Sequence, residues 1–255
     1  MTRQFRKPVA LAAAALLVAG PGLAQAEDKG SKREVILTGY LFASALDGRS
    51  SLSQGLPTAD IDLSFGDVLD NLDFGLMTAL EVRQGPWSFV GDVLYSKLSP
   101  RGTLPGPAAA PVELEQKNLT LQGSVLYRVQ DSAAVDVDLG AGLRYWSVDS
   151  EASIGPVGPA SVSLGHKESW LDPVVIARMK AELDERWSVT VAGDIGGSGS
   201  GSNLTWQLLG TVNYQMSDRL ILRGGYRVLA VDYEDDGYVY DVTLRGPVLG
   251  LAYRF

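Results

Sequence analysis

From Glu34 onward, hydrophobic and polar residues alternate with a period of two, the spacing that sends successive side chains to opposite faces of a strand. The stretch from Val135 to Trp146 is the clearest case. Val135, Val137, Leu139, Ala141, Leu143 and Tyr145 fall on one face, and Asp136, Asp138, Gly140, Gly142 and Arg144 on the other. Leu119, Leu121, Val125 and Tyr127 alternate in the same way with Asn118, Thr120, Gln122, Ser124 and Arg128. Leu204, Trp206, Leu208, Val212 and Tyr214 alternate with Thr205, Gln207, Thr211, Asn213 and Gln215. The pattern predicts ten strands at roughly 34–46, 72–84, 86–99, 112–128, 133–149, 160–183, 187–195, 203–216, 219–233 and 238–255.

The connections carry a second pattern. Gly85-Pro86, Gln130 to Ser132, Asp184-Glu185 and Ser217-Asp218 are tight, whereas Asp47–Asn71, Pro100–Pro111, Ser150–Pro159 and Gly196–Ser202 are longer and rich in Gly, Ser, Pro or Asp. Long and short connections alternate through the first eight, and the ninth, Glu234–Gly237, is short and polar. A soluble sandwich has no reason to follow that rule. A membrane barrel with turns on one side and loops on the other does. The expected fold is therefore all-β: an antiparallel, up-and-down transmembrane β-barrel of about ten strands, with eight as the alternative count.

Trp87 and Trp187 follow short turns and Tyr127 and Tyr214 precede them, all on the apolar face, as an interface girdle requires. The alternative is a rim of aromatics on a soluble sheet. In the first loop, Ser64 with Asp67 in the box position predicts one helical turn carrying Phe65, Val68, Leu69 and Leu72.

Residues 1–26 differ from the rest. Arg3, Arg6 and Lys7 precede an apolar stretch from Val9 to Ala19, and Ala24-Gln25-Ala26 offers a small-x-small cleavage site, which predicts a secretory signal peptide and a mature barrel over 27–255. A membrane anchor is the alternative, but the run is shorter than the roughly 20 residues a spanning helix needs. Removing those three basic residues leaves 19 against 30 acidic ones, a net charge of −11 that argues against nucleic acid as a partner. Cysteine is absent, which fits an exported chain and many others.

The chain ends Leu249-Gly250-Leu251-Ala252-Tyr253-Arg254-Phe255, with Leu249, Leu251, Tyr253 and Phe255 at every second position. This resembles the C-terminal assembly signal of outer-membrane barrel proteins, and implies recognition by the barrel-assembly machinery. The mature region resembles the small outer-membrane β-barrel superfamily that includes outer membrane protein A transmembrane domains and outer membrane protein W. The stretch from Asp60 to Leu76 is similar to a segment of a group of uncharacterised proteobacterial outer-membrane proteins. The resemblance implies a Gram-negative outer-membrane location, with membrane lipid and lipopolysaccharide as surroundings, and supplies no substrate.

The face opposite the apolar one carries Glu81, Arg83, Asp92, Asp136, Asp138, Arg144, Asp172, Arg178, Lys180, Asp194, Arg223 and Arg227. On the lipid side such charges would cost about 2–4 kcal/mol each near the midplane for the cations and less for the carboxylates, so they belong in the lumen. There they form either a paired network that fills a narrow barrel or a polar path for small solutes. His166, the one histidine, lies near Glu168 and Ser169, but in a strand Ser169 takes the opposite face, so no catalytic residues are assigned. Asp232, Glu234, Asp235 and Asp236 lack the spacing of a calcium loop, and glycine-rich 193–201 lacks the helix and Lys of a phosphate cradle. Neither metal nor cofactor is predicted. The expected function is a narrow small-solute or ion channel, with a non-conducting structural or surface-binding envelope protein as the alternative and a hydrolase as a remote third.

Overall fold

The computed structural model describes residues 33–51, 57–103, 111–157, 160–197, 199 and 201–255. The signal-peptide expectation for 1–26 therefore lies outside the described residues. Thirteen strand segments and one helical turn follow in order. They are β1 (Glu34–Phe42), β2 (Ala45–Ser51), β3 (Thr58–Leu63), α1 (Phe65–Asp70), β4 (Leu72–Gln84), β5 (Trp87–Leu98), β6 (Arg101–Thr103) and β7 (Pro111–Asp131). Then come β8 (Val135–Val157), β9 (Ala160–Glu182), β10 (Trp187–Gly196), β11 (Leu204–Gln215), β12 (Leu220–Asp235) and β13 (Tyr238–Arg254).

Ten of these are staves of one closed antiparallel barrel, because β1 and β2 are two parts of one stave, and β3 and β6 only extend loops. The order runs β1, β4, β5, β7, β8, β9, β10, β11, β12, β13, and β13 returns to β1 through pairs from Ile36↔Arg254 to Phe42↔Val248. Closure satisfies the edges that an open sheet would leave bare. Among the described residues no helix is long and apolar enough to cross a membrane.

The two faces separate as the alternation requires. Leu37, Leu80, Phe89, Leu121, Val125, Leu139, Leu143, Leu171, Val175, Leu208, Leu222 and Leu251 are all exposed on the outside. Asp138, Arg144, Asp172, Asp194 and Arg227 are buried inside. An apolar exterior around a charged interior reverses the order of a water-soluble protein and suits a chain surrounded by hydrocarbon. From Tyr127 to Leu119, eight steps of about 3.4 Å make about 27 Å, which a tilt of about 40° reduces to about 21 Å, close to the ~25 Å band of such barrels.

Where regular alternation ends, the expected boundaries need correction. Ser150–Pro159 is not a loop throughout: β8 continues to Val157 and β9 starts at Ala160. Small and polar residues on both faces hide this from the periodicity, while the ladder through Glu115↔Glu151↔Gly165 holds the strands. Beyond the apolar band, β7, β8 and β9 thus form a blade whose β8 portion, Trp146–Val157, extends roughly 35–40 Å along the strand. Asp47–Asn71 holds structure as well. β2 continues the first stave past a break at Ala43-Ser44 and pairs with β3, and Ser64 and Asp67 complete the predicted capping box at α1. Pairing of β1 with β4 stops at Gly39↔Thr78, above which the Phe42 amide donates to Met77 Sδ at 3.1 Å. The β12–β13 turn is the two residues Asp236-Gly237, both at positive φ (47° and 78°), as a type I′ hairpin demands.

Candidate functional site in the lumen

Inward side chains line the barrel in three storeys. The lowest, at the end where β1 begins and β13 ends, is built on Arg178 of β9. Its guanidinium donates to Glu81 on β4 at 2.8 Å and to Asp138 on β8 at 2.7 and 2.9 Å. Arg83 shares Glu81 at 2.8 Å, and Arg128 reaches Asp138 and Asp136, each at 3.0 Å. Because β4 and β9 lie on different sides of the barrel, this layer ties the wall together across the axis.

The middle storey centres on Asp194 of β10. Its carboxylate accepts from Arg144 at 2.6 Å, Gln207 at 2.6 Å and Gln122 at 3.2 Å. Arg144, with no side-chain exposure, also donates to Gln122 Oε1 at 2.7 Å and to Thr205 Oγ1 at 2.9 Å. Gln207 passes the network to Arg227 at 2.7 Å, which donates to Asp92 at 3.0 Å and to the Tyr40 hydroxyl at 2.9 Å. Seven staves meet in this layer. Charge-assisted, multiply bonded pairs of this kind survive burial only because each lone pair and proton finds a partner.

The upper storey is apolar. Trp146, Val148, Trp170, Leu229, Val231, Tyr233, Tyr238, Tyr240, Val242 and Leu46 form one buried cluster drawn from β2, β8, β9, β12 and β13. Trp170 stacks on Tyr233 with centroids 3.9 Å apart and planes 9° from parallel, and lies 5.9 Å from Trp146. Ile61 and Leu63 of β3 and Val68 of α1 pack on the cluster from the loop side. Burial pushes the Tyr238 hydroxyl up to about 12. The cluster occupies the lumen where the sequence reading placed only polar side chains.

The structure brings together eleven of the predicted lumen residues: Glu81, Arg83, Asp92, Asp136, Asp138, Arg144, Arg178, Lys180, Asp194, Arg223 and Arg227 line or bridge the lower two storeys. Asp172 stands apart, accepting from the Ser202 backbone and hydroxyl, each at 2.7 Å, so it anchors a loop end. Arg223 lines the cavity without an ion pair among the described residues, donating to Thr38 Oγ1 at 3.3 Å. Tyr40, Gln122, Thr205, Gln207 and Arg128 were missed as network members. Their inward parity was readable, but neutral or isolated polar residues signal no partner in a sequence. Trp87 lies 4.8 Å from Tyr127 and Trp187 4.7 Å from Tyr214, as cross-strand pairs on the outside beside the short turns. Leu249, Leu251, Tyr253 and Phe255 also face outward.

His166 Nε2 lies 3.1 Å from Glu168 Oε2, and Tyr233 donates to Glu168 at 3.3 Å. Ser169 is on the exposed face, so the structure does not join it to this pair. Among the described residues, no group of three or more acidic, histidine or cysteine side chains is placed to hold a metal.

Neither a protein-family model nor a curated protein matches this chain. Solved structures do. The outer membrane protease OmpT from Escherichia coli aligns with a TM-score of 0.58 at 11% identity, over 90% of this chain and 99% of that one. The translocator domain of the autotransporter NalP from Neisseria meningitidis aligns with a TM-score of 0.52 at 10% identity, over 90% of each chain. At these identities the likeness carries the fold, that of Gram-negative outer-membrane β-barrels, and leaves activity open.

Proposed function

We propose that the chain is an integral protein of a Gram-negative outer membrane whose barrel is occluded and which acts as a structural or surface-binding component of the envelope. In this reading residues 1–26 direct export, the last strand is recognised by the barrel-assembly machinery, and the apolar belt contacts lipid and lipopolysaccharide. The observation that carries the proposal is the upper storey, where buried aromatic and aliphatic side chains from five staves meet in the lumen. Water does not wet such a layer, and the ion pairs beneath it leave few charges free for a passing solute. Surface binding is then the work of the parts beyond the membrane, chiefly the β7–β8–β9 blade. No catalytic role is proposed for His166.

A second reading, a narrow channel, has one observation in its favour. Cavities of about 200 Å³ and 160 Å³ share Arg83, Lys180, Thr190, Asn213 and Arg223 in their walls, so the lumen is hollow from the middle storey toward the short-turn end. Purified protein in planar bilayers separates the two. Absence of discrete conductance steps is expected for the occluded barrel, and steps that recur with wild-type protein would replace it with the channel.

A further inference from the structure

The lower cavity has a charge balance unlike that of the chain around it. In a protein with net charge −8, its walls carry five cations, Arg83, Lys180, Arg186, Arg223 and Arg254, against Glu182 and Glu185. Most are already engaged: Arg83 with Glu81 and Glu34, Arg254 with Glu34, and Lys180 with Glu182. Arg223 is not. Among the described residues no carboxylate lies within ion-pair distance of it, and its buried Nε has no hydrogen-bond partner. The charged groups acting on it include one carboxylate, Glu81, and three guanidiniums, Arg83, Arg178 and Arg254.

A half-buried guanidinium among like charges, with an unpartnered Nε, is costly unless an anion compensates it. Glu81 is already shared by Arg83 and Arg178, which leaves Arg223 without a countercharge of its own. Arg223 lies in the wall shared by both cavities, and the residues common to the two contain three cations and no acid. A single water occupies roughly 10–15 Å³ of such space, so the lower cavity, about 160 Å³, accommodates a small oxyanion with several waters. A guanidinium offers paired donors matched to phosphate or carboxylate oxygens.

We infer that the neck at Arg223 is a binding site for a small oxyanion of the phosphate class, entered from the short-turn end of the barrel. The site needs no passage through the upper storey, so it stands whether or not the barrel conducts. Inorganic phosphate added to the full-length protein in detergent at low ionic strength is expected to bind with one-to-one stoichiometry by calorimetry. Arg223→Met should weaken binding at least tenfold, Arg223→Lys should retain part of it, and Arg219→Met, in the exposed turn, should leave it unchanged. Glycerol phosphate run alongside distinguishes a free anion site from one that also accepts a phosphomonoester headgroup. If Arg223→Met fails to assemble, wild-type protein still gives an answer. Phosphate should protect Arg223 from phenylglyoxal, read by peptide mass spectrometry, while Arg219 stays reactive. No binding by wild-type protein, undiminished binding by a folded Arg223→Met, or absence of protection would overturn the site.

Discussion

Replacing Asp194 by leucine tests whether the middle storey is dry. Arg144 and Asp194 have side-chain exposures of 0% and 1%, and their 2.6 Å contact is reinforced by Gln122 and Gln207 on the same carboxylate. Asp194→Leu leaves the Arg144 guanidinium with Gln122 and Thr205 but without a countercharge, and takes an acceptor from two amides. Breaking a buried pair from one side costs about 3–5 kcal/mol. The double variant Arg144→Met/Asp194→Leu removes both charges, so its loss should shrink to about 1–2 kcal/mol, the value of the two stranded amide bonds. Guanidinium unfolding in detergent, followed by tryptophan fluorescence and by heat-dependent gel mobility, measures both variants. The single variant should therefore be less stable than the double by about 1–4 kcal/mol. A loss below about 1 kcal/mol for Asp194→Leu, the range of solvent-exposed pairs, would mean that water reaches Arg144, and the dry middle storey would be refuted.

Three further outcomes follow from local geometry. Trp170→Ala removes the ring stacked on Tyr233 and should cost about 3–5 kcal/mol in the same unfolding assay. A Cβ on Gly140 would stand 2.2 Å from the Val125 carbonyl oxygen, whereas one on Gly123 meets nothing within 4 Å. Gly140→Ala should accordingly lose about 1–3 kcal/mol or fail to assemble, and Gly123→Ala should behave as wild type. Glu115, on the blade, is held down to about 2 by hydrogen bonds from Lys117 and Lys97. A carboxyl lowered on folding adds stability above its ordinary value of 4.5, and that contribution is lost as pH falls toward 2. Carbon-detected NMR should place its midpoint near 2, and Lys117→Met should move it upward.

Much of this architecture was legible because a period of two has only one geometric meaning. Leu139, Leu143 and Leu208 marked the lipid face, and Asp138, Arg144 and Asp194 the lumen, without any knowledge of which strand lay beside which. Ser64 and Asp67 announced α1 for the same reason: a capping box is a local structure. Partners were not legible. Arg178 meets Glu81 only because β4 and β9 stand opposite each other in a closed ring, and closure is a property of all ten staves together. The upper storey was missed for a different reason. Counting back by twos from Leu249 puts Arg245 and Asp241 outside and Tyr240 and Tyr238 inside, so parity held the answer. Trp170, Tyr233, Tyr238 and Tyr240 drew no assignment, since hydrophobicity alone does not distinguish hydrocarbon from a packed lumen. β2 and β3 escaped because the alternation breaks at Ala43-Ser44, where the stave exchanges β4 for β3 as its neighbour.

The central claim is that hydrocarbon lies against one side of each stave while the upper lumen is closed to both lipid and water. With no native cysteine, single substitutions report one site at a time. Leu208→Cys and Leu139→Cys carrying a spin label in reconstituted vesicles should be relaxed by oxygen dissolved in the bilayer. Leu229→Cys and Val231→Cys, in folded protein, should resist both a water-soluble maleimide and lipid-borne quencher. Rapid maleimide labelling at Leu229 and Val231 would contradict the account, because it would put water where the buried cluster stands.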